Sequence, residues 1–334
     1  SFNQITWETV CAYGDANGVE YEYYKPAEDT DEERINSIDL AVSEGATVVV
    51  MPGYLFGPAI AEEQDTYPDV TFIAVDVTEG DIVKNGKAVD LGKNVYICSF
   101  EEEQAGYLAG YAAVKDGYTS LGFLGGIAVP AVIRFGYGYV QGINAAAEED
   151  GVDVNVKYYY GGQFYGDDSI TARMEGWYAD GTQVVFACGG GIYTSAVDAA
   201  KKADAKVIGV DVDQAGVIAN YAETEGMTIT SAMKGLYPTT YDTLSDVILN
   251  DNWSKYAGQI ATLGLVSADD PEANYVQIPM GDGTQWCDTF TQDDYKAMVK
   301  AMYDGELTVS NDITKSPADF ATCIAVEDQG AIKG

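Results

Sequence analysis

The sequence predicts an α/β protein built as two doubly wound parallel-sheet lobes. Three observations predict it. Short apolar runs, rich in β-branched side chains and too short for helices, alternate with helical patterns over most of the 334 residues. The runs are apolar enough to suit strands of a parallel sheet covered on both faces. They fall into two similar sets, one before Phe100 and one after, with no long linker between them. A chain of this length can bury two cores, and a cleft between two such lobes is the natural place for a ligand.

The clearest unit runs from Gly181 to Gln214, GTQVVFACGGGIYTSAVDAAKKADAKVIGVDVDQ. Gln183–Ala187 is an apolar strand. It stops at Gly189-Gly190-Gly191, and a helical pattern with Val197, Ala200 and Ala203 on one side follows. A second strand, Lys206–Val210, ends in Asp211. This is a right-handed βαβ unit, and ligands collect outside the carboxyl ends of such strands. The glycine turn and Asp211 both belong there.

The other elements follow in order. Ile5–Tyr13 is helical and Gly14–Gly18 ends it. Val19–Tyr24 alternates as a strand does. Thr30 opens a helix with Glu33 completing a capping box; Ile35, Ile38 and Val42 line one face and Gly45 closes it. Ala46–Met51, Val70–Val75 and Asn94–Cys98 are strands, the second ending in Asp76. Glu101–Lys115 is a helix. The second set begins with strand Ser120–Leu124, ending in Gly125-Gly126, and a long helix from Pro130 to about Glu148. Strand Val152–Tyr160, an aromatic loop Gly161–Asp168 and helix Ile170–Tyr178 lead into the βαβ unit. Strand Met227–Ala232 and helix Pro238–Leu249 come next. The tail carries strand-like Ile260–Val266, helix Gln292–Tyr303, and short strands Val309–Ile313 and Ile324–Val326.

Charge and composition exclude several functions. Eighteen basic against fifty-three acidic side chains leave a net charge of −35. Such a field repels nucleic acid and disfavours free nucleotides. With no histidine, the commonest general base, the Ser-His triad and most catalytic zinc sites are gone. The five cysteines form no CxxC; Cys98 and Cys188 read as core, and Cys287 and Cys323 could pair. No apolar run approaches a membrane span. No phosphate-loop or dinucleotide fingerprint is present, so no cofactor is expected.

What remains suits binding. Gly125-Gly126 and Gly189–Gly191 are tight turns whose N–H groups could also hold a ligand oxygen. Asp76 and Asp211 sit where carboxylates can grip vicinal hydroxyls, with Asp213 flanking the same turn as Asp211. Glu101-Glu102-Glu103 reads as acids favouring a helix N-terminus. Phe2, Tyr54, Phe56, Phe164, Tyr165 and Tyr193 fall near strand ends, and an aromatic pair can sandwich a flat ring. Lys234, just past a strand, could meet a ligand oxygen or pair with a surface acid.

These stretches resemble the basic membrane protein (BMP) family of substrate-binding lipoproteins that serve ABC transporters. The matching segments are SFNQITWE at the start, VVVMPGYLF (48–56), FIAVD (72–76), SFEEEQAGYLAGYAA (99–113), LGFLGGIAVPAVIRFGYGYVQGI (121–143), VVFACGGG (184–191) and VIGVDVDQ (207–214). The resemblance implies the type I periplasmic-binding fold, with lobes 1–99 plus 236–262 and 100–235 plus 263–334 and hinges near Ser99, Ala232 and Leu263. It implies a purine nucleoside as ligand. Phe2 and Tyr165, or its neighbour Phe164, would stack on the base and Asn3 would reach its edge. Asp76 and Asp211 would hold hydroxyls, Lys234 would assist, and Gly189 and Gly190 would approach closely, near Tyr193. It further implies an ABC permease with its ATPase as partners, a monomer, no catalysis and no metal. It places the protein outside the cytoplasm, lipid-anchored through an N-terminal cysteine absent from this chain. The family carries a strand before SFNQ that this chain lacks, and Ala128 stands where the family often has aspartate. Other readings are a sugar or other small polar ligand on the same fold, a nucleoside hydrolase or dehydrogenase, and a regulator lobe.

Overall fold

A computed structural model describes residues 2–331. The chain divides into two compact units, Ser1–Phe100 with Leu236–Leu263 and Glu101–Gly235 with Gly264–Gly334, so the backbone passes between them three times.

The first unit is a four-stranded parallel sheet in the order β1 (Val48–Pro52), β2 (Thr71–Val75), β5 (Val95–Phe100), β11 (Ile260–Leu263). Its registers pair Val50 with Ile73, Ala74 with Ile97 and Ile260 with Ile97. On one face, α2 (Asp31–Ser43) and α3 (Gly57–Thr66) bury Ile38 and Ile60 against Phe72, Ala74, Val95 and Ile97. Elsewhere α1 (Phe2–Asn17) packs on α9 (Leu236–Leu244), with Tyr13 edge-on to Tyr241 at 5.3 Å. A two-stranded hairpin, β3 (Val83–Lys84) and β4 (Lys87–Ala88), lies beside α3.

The second unit has a seven-stranded sheet. Its elements are β6 (Ser120–Gly125), β7 (Asn155–Tyr160), β8 (Val184–Cys188), β9 (Lys206–Asp211), β10 (Thr228–Lys234), β12 (Val276–Gln277) and β13 (Ala325–Ala331). The strand order is β12-β10-β9-β8-β6-β7-β13, parallel except for β12 against β10. The helices α4 (Glu102–Lys115) and α5 (Pro130–Asp150) pack on each other, α4 against β10 and α5 against β6 and β8. Two further helices, α6 (Asp168–Ala179) and α7 (Tyr193–Ala203), join α8 (Ala215–Ala222) over a core of Met174, Trp177, Val185, Val197 and Ile218. The last helix, α10 (Gln292–Tyr303), starts with a capping box of Thr291 and Asp294. From β6 the chain adds β7 on one side and then returns to place β8 on the other. The crevice between the carboxyl ends of β6 and β8 is therefore the topological switch point.

Several expectations are corrected. The first helix runs through Gly14 to Asn17, and Gly18, at φ 65°, ends it. Gly14 is needed because the Tyr21 ring occupies the space a Cβ would take. Val19–Tyr24 is not a strand; it has no ladder partner among the described residues, and Tyr21 and Tyr23 instead lay their rings on Trp7 at 5.5 and 5.2 Å. Val309–Ile313 is not a strand either. The Ser310 N–H donates to Gln141 Oε1 and its carbonyl accepts from Gln141 Nε2, both at 2.9 Å, so a side chain takes the groups a ladder would use. The helix expected over Pro238–Leu249 stops at Leu244 and continues as a single π turn, Ser245–Leu249. Neither α3 nor α8 was visible in the pattern. Thr30 caps α2 by accepting from the Glu33 N–H at 3.2 Å, which is half of the expected box. Cys287 and Cys323 do not pair: the first lies against the Lys115 carbonyl, the second against Asn144, and all five cysteines are free.

Candidate functional site

In the first unit the carboxyl edge of the sheet carries a glycine, a ring and an acid. Gly53 follows β1 at φ 101°, and its N–H donates to the Val75 carbonyl at 2.8 Å. A methyl group on Gly53 would lie 3.6 Å from Cε1 of Phe2, so the half-buried Phe2 ring is beside the end of β1. Asn3, one residue on, is exposed. Asp76 follows β2 directly and takes a left-handed backbone at φ 64°. Tyr54 and Phe56 form the turn after Gly53, with Phe56 packed into the core.

The second unit repeats the arrangement at its switch point. Gly126 N–H donates to the Cys188 carbonyl at 2.8 Å, tying the end of β6 to the end of β8. Phe164 lies on that junction: a methyl on Gly126 would meet its ring at 2.5 Å, and one on Gly189 would meet it at 3.0 Å. Gly189 and Gly190 take φ 151° and 52°, backbone that glycine reaches without strain. The Gly191 N–H then donates to the Phe164 carbonyl at 2.7 Å. Tyr165 bridges to Gly191 and is 63% exposed. Asp211 ends β9 at φ 70°. Its loop is pinned by buried Gln214, whose Oε1 accepts from the Val210 N–H at 2.8 Å and whose N–H donates to Ser231 Oγ at 3.1 Å. Asp213 turns instead to the Ala215 N–H at 3.0 Å.

The two aspartates stand apart from the other left-handed residues. Among the described residues, Asp204 and Glu223 are helix C-caps, Asn85 is the hairpin turn and Asp251 follows the π turn. Those are places where the conformation is routine. Asp76 and Asp211 adopt it where strands end in a parallel sheet, a feature that collects at ligand sites.

The charge pattern departs from expectation. Lys234 is the last residue of β10 and is 5% exposed, so it lies within the strand rather than past it. Its ammonium lies 3.4 Å from Glu102 Oε1 and 3.8 Å from Asp211 Oδ1, and 5.5 Å from the Phe135 ring centre. Glu102, fully buried, also accepts from Arg134 Nε at 2.7 Å through its other oxygen. The acids 101–103 do open α4, but Glu102 and Glu103 are buried rather than solvated. Sequence reasoning missed Glu102, Arg134 and Gln214. The one available signal was an arginine, one of three in the chain, standing inside an apolar helix. Tyr193 opens α7 and packs edge-on against Tyr221 at 5.8 Å, so its ring serves the α7–α8 face. Burial pushes the Cys188 thiol well above its ordinary range, so it is an inert core group. Among the described residues no cluster of acids or cysteines could hold a metal ion.

Parallel sheets wound with helices, in two units the chain enters and re-enters, define a type I periplasmic-binding fold. A solved ABC-transporter solute-binding protein from Conexibacter woesei matches it with a TM-score of 0.68 and 21% identity, over 93% of this chain and 94% of that one. The chain belongs to the Bmp family, described as ABC transporter substrate-binding protein PnrA-like, whose model matches residues 1–269. That family is one of substrate-binding proteins, not enzymes. Among curated relatives, the nucleoside-binding protein BmpA of Lactococcus lactis is 30% identical over 64% of this chain and 60% of its own. The CD4+ T-cell-stimulating antigen of Listeria monocytogenes is 30% identical over 70% of this chain and 66% of its own. An uncharacterized lipoprotein of Pyrococcus abyssi is 27% identical over 74% and 59%. The chain thus spans less than two thirds of the length of these relatives.

Proposed function

We propose that this protein binds a purine nucleoside outside the cytoplasm and delivers it to the permease of an ABC importer, whose separate ATPase drives transport. One observation carries the reading. Each unit ends a parallel strand in a left-handed aspartate and seats an aromatic ring on the glycine that ends the adjacent strand: Phe2, Gly53 and Asp76 in one, Phe164, Gly189 and Asp211 in the other. Rings offer faces to a flat heterocycle, and carboxylates accept from ribose hydroxyls. Phe2 and Phe164 take the base, with Tyr165 at the rim, and Asn3 meets the base edge. Asp76 and Asp211 hold the sugar, Lys234 donates to a ligand oxygen, and Gly189 and Gly190 let backbone come close. The name of the Lactococcus relative supports the same ligand class. A net charge of −35 favours a neutral nucleoside over a nucleotide. Anchoring by lipid and action as a monomer are part of the same proposal.

Calorimetry with inosine, adenosine and guanosine against ribose, hypoxanthine and AMP tests it. A purine nucleoside gives a binding heat that neither ribose nor AMP gives. Asp76→Gly, whose backbone accepts φ 64° freely, still folds and weakens that binding at least about tenfold, the worth of one charged hydrogen bond. Heat with a sugar and none with any nucleoside rejects the purine reading.

A further inference from the structure

Four charges alternate through the second unit: Arg134, Glu102, Lys234, Asp211, at successive separations of 2.7, 3.4 and 3.8 Å. Glu102 is the only fully buried member, with a side chain 0% exposed, and it spends one carboxylate oxygen on each cation. Its place is fixed by covalent position. It is the second residue of segment 101–235, in the first turn of α4, and Lys234 is the penultimate one, at the end of β10. Helix α4 packs directly on β10. The carboxylate therefore joins the two ends of that segment behind the strand edge where Asp211 stands.

We infer that Glu102 is a positioning residue: held by Arg134, it anchors the Lys234 ammonium so that Lys234 and Asp211 act on the ligand as a fixed donor–acceptor pair. This rests on the reading of Lys234 and Asp211 as ligand groups. Lysine is a flexible point charge with three rotatable donors, and it delivers a directed hydrogen bond only when something else holds it. Without the Glu102 charge, Lys234 loses the carboxylate 3.4 Å away and keeps Asp211 at 3.8 Å. The ammonium is then no longer held in one place, and its donors no longer meet the ligand in a fixed direction beside Asp211. A buried carboxylate with two cationic partners is not cheap to keep, and a hydrophobic cluster of equal volume is often as stable. Positioning gives it a use that stability alone does not.

The test has a ligand-free arm and a ligand arm. In the ligand-free arm, the ammonium signal of Lys234 in nitrogen-15 NMR, assigned by its loss in Lys234→Met, is followed. It persists in the native protein through protection from exchange, disappears in Glu102→Gln and survives in Glu102→Asp, which keeps the charge. In the ligand arm, inosine affinity is measured in a double-mutant cycle. Glu102→Gln weakens binding at least about tenfold in the native background and less than about twofold when Lys234 is already methionine. Glu102→Asp recovers most of the loss, and serves for both arms if the glutamine variant does not fold. An unchanged Lys234 signal in Glu102→Gln overturns the inference, as does an equal loss of affinity in both backgrounds. If the native protein takes no nucleoside while the Lys234 signal is lost in Glu102→Gln, the anchoring stands and the nucleoside reading alone fails.

Discussion

Two buried glutamates give the molecule a pH dependence opposite to that of ordinary paired carboxylates. Burial, then the Asp39 carboxyl, pushes Glu63 in the first unit up to about 7. Burial, with the neighbouring Glu102 and Glu101 charges adding to it, pushes Glu103 in the second unit up to about 7 as well. The ordinary value for both is 4.5. A carboxyl whose folded value lies above its unfolded value binds its proton more tightly when folded. The stability it contributes is complete below about pH 4.5 and is lost as pH rises through about 7. Urea unfolding at pH 5 and pH 8 therefore finds the native protein less stable at pH 8. Glu103→Gln removes part of that drop and is more stable than the native protein at pH 8. A native protein equally stable at both values, or a Glu103→Gln variant that falls by the same amount, contradicts this assignment. Asp76 and Asp211 were legible as strand-end acids. Their left-handed backbone was not, because it is set by the loops that follow, as Gln214 shows for Asp211.

At the scale of elements, the glycines of the long matching motifs have a packing cause. Gly106 and Gly110 on α4, and Gly138 and Gly142 on α5, stand four apart, and a methyl on any of them would strike the backbone of the other helix. Gly138 faces the Glu103 carbonyl and Gly142 the Tyr107 carbonyl. The helices thus touch backbone to backbone, which fixes the first turn of α4 and with it Glu102. Gly138→Ala forces them apart and costs about 3 kcal/mol, at the upper end of overpacking in a close-packed core. Chemical denaturation reads this directly, and a loss below about 0.5 kcal/mol, the range of an indifferent surface change, contradicts the packing account. The βαβ unit of residues 181–214 was legible nearly residue by residue, because apolar runs and glycine turns are local signals. The misread elements were decided by distant partners. Val309–Ile313 lost its strand to Gln141, 169 residues away from Ser310, and Glu102 meets a buried partner in Lys234, 132 residues away.

For the whole molecule, composition and architecture point the same way. A chain with no histidine, a net charge of −35 and no phosphate fingerprint is poorly suited to catalysis by the commonest bases and to anionic ligands. The fold supplies two carboxyl edges, one in each unit, and each carries ring, glycine and acid. The chain belongs to a family described as ABC transporter substrate-binding protein PnrA-like. The identity of the bound solute decides between a nucleoside and a sugar. Native protein purified without exchange, then denatured, releases what it carried, and mass spectrometry identifies it. A purine nucleoside in near-equal amount with the chain is the expected result. A sugar in that amount, with no nucleoside, contradicts it.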